Sequence, residues 1–233
     1  MLKGINRKIV DVALALLLCA GISSADTIIS TFNSVDSSIG SFGTPDTTGT
    51  PTYGQTFVVP TPESELTTIA FSIQNPSLSP LPFRLYLYLW DGLEVTGNAQ
   101  FTSSVLQIAP SGSNFQTVTI PNLSVVLNGG DTEIAFLSTI GLTGPVTGLR
   151  FQTAPDGTYS GGMFEYNNAT SASGWTAGYD WNANGNFGDL GFSATFVHAS
   201  PEPGSMALLA IGTAIGAALL RRRARKALQS SAN

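Results

Sequence analysis

The chain has 233 residues, of which 11% are charged, with 25 glycines, 13 prolines and a single cysteine. That composition is too apolar for a disordered chain and too rich in turn formers for a helical bundle, and the length suits one sizeable domain plus terminal segments. The net charge of −5 hides a segregation: residues 26–200 hold two basic and thirteen acidic residues, no lysine and a net −11, a surface that repels nucleic acid.

The first predicted element is a signal peptide over residues 1–25. Lys3, Arg7 and Lys8 form a basic start, Val12 to Ile22 an apolar stretch, and Ser23-Ser24-Ala25 place small residues where signal peptidase needs them. Cleavage is expected after Ala25. Lipidation at Cys19 is disfavoured because Leu18 stands where a small residue is required. Cys19 is removed with the leader, so the mature chain forms no disulfide.

Residues 26–198 are predicted as one β domain. Short apolar and β-branched runs alternate with turn clusters at intervals of roughly 8–12 residues, the spacing of a sandwich. The runs are Thr27–Phe32, Tyr53–Val59, Leu66–Ile73, Phe83–Trp90, Phe101–Ile108 and Phe115–Ile120, followed by Leu123–Leu127, Thr132–Ser138, Gly148–Thr153, Gly161–Tyr166 and Leu190–Val197. Segments 40–52 and 74–82, dense in Pro and Gly, read as loops. The expected fold class is all-β: an antiparallel β-sandwich, jelly-roll-like.

Within this domain, "FRLYLYLW" alternates Phe83, Leu85, Leu87 and Leu89 with Arg84, Tyr86, Tyr88 and Trp90. One face belongs to a core. The other is either a platform on which sugar rings stack, with Trp175 and Trp181 as further contacts, or a surface covered by the loop region holding Tyr166, Trp175, Tyr179, Trp181 and Phe187. In "DWNANGNFGD", Asp180, Asn182 and Asn184 followed by Gly185 match the first half of a calcium-binding loop, with Asp189 near. The bidentate Glu of such loops is missing, since position twelve is Gly191. A structural calcium site and an ordinary Asn/Gly turn are the two readings of this stretch. No other cofactor is expected.

Enzyme chemistry finds little to work with. His198 is the one histidine, so a histidine-rich metal site is impossible and a Ser-His-Asp triad implausible. A glycosidase pair drawn from Glu63, Glu65, Glu94, Glu133 and Glu165 remains open, since a sequence does not bring two of them together. The expectation is a non-enzymatic protein.

Residues 199–226 form the last predicted element. Pro201-Glu202-Pro203 precede the uncharged run 205–220, which as a helix spans ~24 Å, against a hydrocarbon core of ~30 Å. Arg221, Arg222, Arg223, Arg225 and Lys226 then form a basic stop that stays cytoplasmic, leaving the domain on the outer face of the membrane. The two prolines keep the segment before the helix extended, as a processing enzyme requires. This order of parts resembles the PEP-CTERM sorting signal. The resemblance implies export, retention in the membrane by the helix, and processing by a membrane-embedded exosortase, a transpeptidase-like enzyme with a nucleophilic cysteine.

The stretches "YGQTFVVP", "LTTIAFSI", "FRLYLYLWDG", "TSSVL", "VVLNGGDTEIAFLST" and "GDLGFSATF" also resemble an ectodomain that recurs in PEP-CTERM proteins. That resemblance implies a secreted β-sandwich and brings no catalytic residues with it. The expected function is a structural or adhesive role at the cell surface or in an extracellular polysaccharide matrix. A carbohydrate-binding module is the first alternative and a secreted polysaccharide hydrolase the second.

Overall fold

The structure is a computed structural model of the whole chain, and it describes residues 26–43, 49–61, 64–143, 148–177, 181–183 and 188–198. The expected signal peptide, the Pro-Glu-Pro triplet, the apolar run 205–220 and the basic stop lie outside the described residues. Among the described residues no helix is long and apolar enough to cross a membrane.

Two seven-stranded antiparallel sheets form a β-sandwich, the predicted architecture. The first sheet runs in the order β1 (Thr27–Ser30), β14 (Phe192–His198), β4 (Ser64–Gln74), β10 (Leu149–Ala154) and β13 (Asp189–Leu190). In addition, β2 (Ser37–Phe42) pairs with β10 and β8 (Gln116–Leu127) pairs with β4. The second sheet runs in the order β12 (Trp181–Ala183), β11 (Phe164–Asn167), β3 (Thr52–Val58), β9 (Thr132–Ser138), β5 (Leu81–Trp90) and β6 (Val95–Thr102). Its seventh strand, β7 (Leu106–Ile108), pairs with the start of β5.

The inward face of each strand follows from residue alternation. In β5, Leu81, Phe83, Leu85 and Leu87 are buried against Leu66, Phe71 and Ile120 of the first sheet. Fully burying a side chain of this kind is worth roughly 2–3 kcal/mol, and aromatic rings supply the bulk of the filling here. Tyr53 of the second sheet meets Phe151 of the first at 5.3 Å between ring centroids and 65°, and Phe42 meets Phe151 at 5.2 Å and 73°. Both are edge-to-face contacts, the arrangement the ring quadrupole favours. One polar link also crosses the interior. The buried Gln55 amide on β3 donates to Asp189 Oδ1 at 2.7 Å and accepts from the Leu190 backbone N at 2.7 Å.

Several predicted boundaries shift. The runs 115–120 and 123–127 are one strand, β8, whose register slips at a bulge where Asn122 and Ser124 take φ of 59° and 51°. Turn-forming residues inside a paired strand are the sequence trace of that bulge. The run 101–108 divides between β6 and β7, and the run 190–197 breaks at Gly191, whose N donates to Gln152 O at 2.7 Å. Part of the expected loop 40–52 belongs to β2, and β12 was not anticipated. The expected loop 74–82 shortens, because β5 already begins at Leu81.

Candidate functional site

The outward face of the second sheet carries a second apolar cluster, separate from the inter-sheet core. It is built from Trp90, Val95, Ile134, Phe136, Trp175 and Trp181, with Tyr86 and Tyr88 packed against it. Register explains the assembly. Gly54 on β3 lies opposite Glu165 on β11 and Phe136 on β9, and Phe136 lies opposite Tyr86 on β5. These four positions form one row across the sheet. All four point outward, since their strand neighbours Tyr53, Phe164, Ala135 and Leu85 belong to the inter-sheet core.

Phe136 is the floor of the cluster. Tyr86 and Tyr88 stack on it at 5.3 and 5.8 Å between ring centroids, with interplanar angles of 19° and 15°. Trp175, on the 3₁₀ turn Ala172–Thr176, meets it edge-on at 4.9 Å and lies 4.7 Å from Tyr86. Trp181 comes from the edge strand β12, yet its ring lies 5.4 Å from both Phe136 and Trp90. The indole therefore reaches across β11 and β3, the strands that carry Glu165 and Gly54. The two indoles are tied together, since Trp181 Nε1 donates to the Trp175 carbonyl at 2.7 Å. Asn167 Nδ2 holds the same turn through Gly174 O at 3.1 Å.

The aromatic face of β5 is thus covered in part. Trp90, Trp175 and Trp181 are buried, while Tyr86 and Tyr88 remain half-buried, with burial pushing both phenols above their ordinary range. Of the loop residues expected to cover this face, Trp175 and Trp181 do so. Tyr166 packs against the inter-sheet core instead, and Tyr179 and Phe187 lie outside the described residues.

Glu165 is 5% exposed in this row, and burial pushes its carboxyl up to about 7. No hydrogen bond or charge among the described residues offsets that burial. Sequence reading placed Glu165 among the possible acid pairs. It did not see Phe136 or Gly54, whose sole signal is the outward phase of their strands.

The carboxylates named in the sequence do not converge. Glu133 lies on the inward phase of β9, opposite in direction to Glu165, and is 1% exposed. Burial raises its carboxyl to about 7, although Gln100 Nε2 donates to both its oxygens at 2.7 and 2.8 Å. Glu65 accepts a hydrogen bond from Ser124 Oγ on the first sheet, Glu94 sits in the β5–β6 turn, and Glu63 lies outside the described residues.

Of the calcium-loop candidates, Asp180 and Asn184 lie outside the described residues, and Asn182 is exposed on β12. Asp189 is 1% exposed in the interior, where its oxygens accept from Gln55 Nε2 at 2.7 Å and from the Tyr159 backbone N at 2.9 Å. Burial raises its carboxyl despite these two bonds. Among the described residues no group of three His, Cys, Asp or Glu is placed to hold a metal ion. An open cavity of about 360 Å³ beside β6 and β8, lined by Phe101, Ser103, Leu106, Thr119, Ile120 and Pro121 among others, carries no titratable group.

Residues 201–223 match the PEP-CTERM protein-sorting motif, three positions after β14 ends at His198. The motif marks an exported protein that is held in the membrane and sorted by an exosortase. No curated protein matches the chain. Among solved structures it is similar to a clostridial cysteine protease after propeptide cleavage, with 14% identity and a TM-score of 0.46. The similarity covers 75% of this chain and 40% of the protease, so the chain spans less than half of that protein's length.

Proposed function

We propose that this chain, with its PEP-CTERM motif at residues 201–223, is a non-enzymatic surface or matrix protein whose acidic sandwich is the delivered cargo. Signal peptidase removes residues 1–25. The run 205–220 and the basic stop hold the chain in the membrane, and the exosortase acts on the segment around Pro201-Glu202-Pro203. The sandwich then serves a structural or adhesive role beside extracellular polysaccharide.

The observation that carries this reading is the placement of the motif. Among the described residues the last strand ends at His198 and the motif begins at 201, so the processing segment follows closely on the sandwich. The separation of Glu133 and Glu165 onto opposite faces supports a role without catalysis, because a glycosidase pair needs both carboxyls on one substrate. The test is to fractionate cells with and without exosortase and weigh the mature protein. Loss of the basic tail solely where the enzyme is present supports the proposal. A tail retained in both strains reduces the segment to a plain anchor.

A second reading, a carbohydrate-binding module, is favoured by the half-buried Tyr86 and Tyr88 on the outward aromatic face. Binding of the exported protein to a polysaccharide array separates the two.

A further inference from the structure

Two polar groups in the outward cluster have no partner among the described residues. Trp175 Nε1 is fully buried and donates to nothing. Glu165, 5% exposed on the same face, accepts no hydrogen bond among the described residues. Buried polar groups are almost always paired, and an exception in a native fold calls for an explanation. These two are complementary in kind, one a pure donor and the other an acceptor when ionised.

Their spacing is set by the row of register. Glu165 lies two strand spacings from Phe136, about 10 Å, and the Trp175 ring rests on Phe136. The interval between them, at Gly54, is spanned by the Trp181 indole, which reaches over β11 and β3 to Phe136. The wall is aromatic, with Tyr86 and Tyr88 half-buried and therefore within reach of solvent. The charged or titratable groups on this face, among the described residues of β3, β9, β5, β12 and the Ala172–Thr176 turn, are Arg84, Tyr86 and Tyr88. Arg84 is turned away to Ser103 O at 3.2 Å.

The pair of missing partners selects the ligand class. An ammonium ion satisfies Glu165 but has no acceptor for the indole N–H. An anion satisfies the indole and is repelled by the carboxylate. A hydroxyl both donates and accepts, and a sugar ring adds C–H faces that pack on aromatic rings.

We propose that this face is a sugar-binding site in which Glu165 accepts and the Trp175 indole donates hydrogen bonds to ring hydroxyls, with Tyr86 and Tyr88 as the apolar wall. The proposal deepens the carbohydrate-binding reading above and rests on it. Because hydroxyls donate to the ionised carboxylate, binding releases a proton from Glu165, and affinity rises as the pH passes upward through the titration of that group.

Tryptophan fluorescence reads this site directly, because all three tryptophans of the chain, Trp90, Trp175 and Trp181, belong to the cluster. The full chain in detergent is titrated with cellobiose, chitobiose and maltose at pH 6 and pH 8, by fluorescence and by calorimetry. At least one disaccharide is expected to shift the emission and to bind about tenfold more tightly at pH 8, following the ionised fraction of Glu165. Glu165→Gln abolishes the pH dependence, and Trp175→Phe weakens binding at both pH values while keeping an aromatic ring. Binding that neither variant alters overturns the assignment of the two anchors and leaves the carbohydrate reading standing. No binding of any of the three overturns the site, and a blank polysaccharide array overturns the wider reading as well.

Discussion

Gly54 shows how one missing side chain organises the outward face of the second sheet. A Cβ at this position meets Phe136 Cβ at 2.8 Å and Ala135 O and Ile134 Cδ1 at 3.2 Å. All three atoms belong to β9, and two of them, Phe136 Cβ and Ala135 O, lie on or beside its backbone with no flexible end to swing aside. Gly54→Ala is therefore expected to push β3 and β9 apart and to cost about 1–3 kcal/mol, the range for overpacked sites. A lower urea midpoint together with red-shifted tryptophan emission checks this, since Phe136 is the floor on which Trp175 and Trp181 rest. An unchanged emission shows that β9 yields without disturbing the cluster. Glu165 makes the same point from the opposite side. Opposite Gly54, on β11, a carboxylate sits in an aromatic setting with nothing among the described residues to neutralise it.

Among the elements, the loop between β4 and β5 is held more firmly than its Pro- and Ser-rich sequence suggests. Asn75 is fully buried and ties it from within. Its Nδ2 donates to Ile108 O at 2.9 Å and to Ser79 O at 3.1 Å, and its Oδ1 accepts from Ser77 N at 3.0 Å and Ser77 Oγ at 2.7 Å. Its backbone carbonyl accepts from Ser111 N and Gly112 N, which stitches in the following loop. Leu78, 98% exposed, rides on the crest of this scaffold. Asn75→Ala removes the four side-chain bonds, at a cost of about 2–3 kcal/mol. Faster hydrogen exchange at Ser77, with a lower unfolding midpoint, is the expected signature. Asn75→Asp keeps the acceptor bonds to Ser77 but sets a carboxylate oxygen against the Ile108 and Ser79 carbonyls in the interior, and costs at least as much.

Over the whole molecule, the buried acids set the pH dependence of stability. Glu133 and Glu165 titrate near 7 in the fold and near 4.5 when unfolded, so folding favours their protonated forms. Their contribution is complete below pH 4.5 and is lost as the pH rises to about 7, on the order of 3 kcal/mol for each group. Asp189, raised by burial, acts in the same direction. The net −11 of residues 26–200 adds self-repulsion as the acids ionise. Urea midpoints measured from pH 4 to pH 9 are expected to fall across that window and then level off. Glu165→Gln should remove its own share of the fall, on the order of 3 kcal/mol, because the amide keeps the shape and has no charge to desolvate. Stability that rises from pH 4.5 to pH 7 contradicts this account.

The sorting tail, the acidic body and most of the strands were legible in the chain alone. A sorting motif is a contiguous run of residues, and strand alternation is a local, period-two property. In β5 that alternation already divided Phe83, Leu85, Leu87 and Leu89 from Arg84, Tyr86, Tyr88 and Trp90, and of the first set Leu89 is exposed in the fold. What lies over each face is settled by registers between strands far apart in sequence, and no local pattern encodes those. Tertiary structure alone laid Trp175 and Trp181 over Phe136 and drew Asp189 inward to Gln55. It also set Glu133 and Glu165 on opposite sides of one sheet and left a carboxylate and an indole N–H without a partner among the described residues on the outward face.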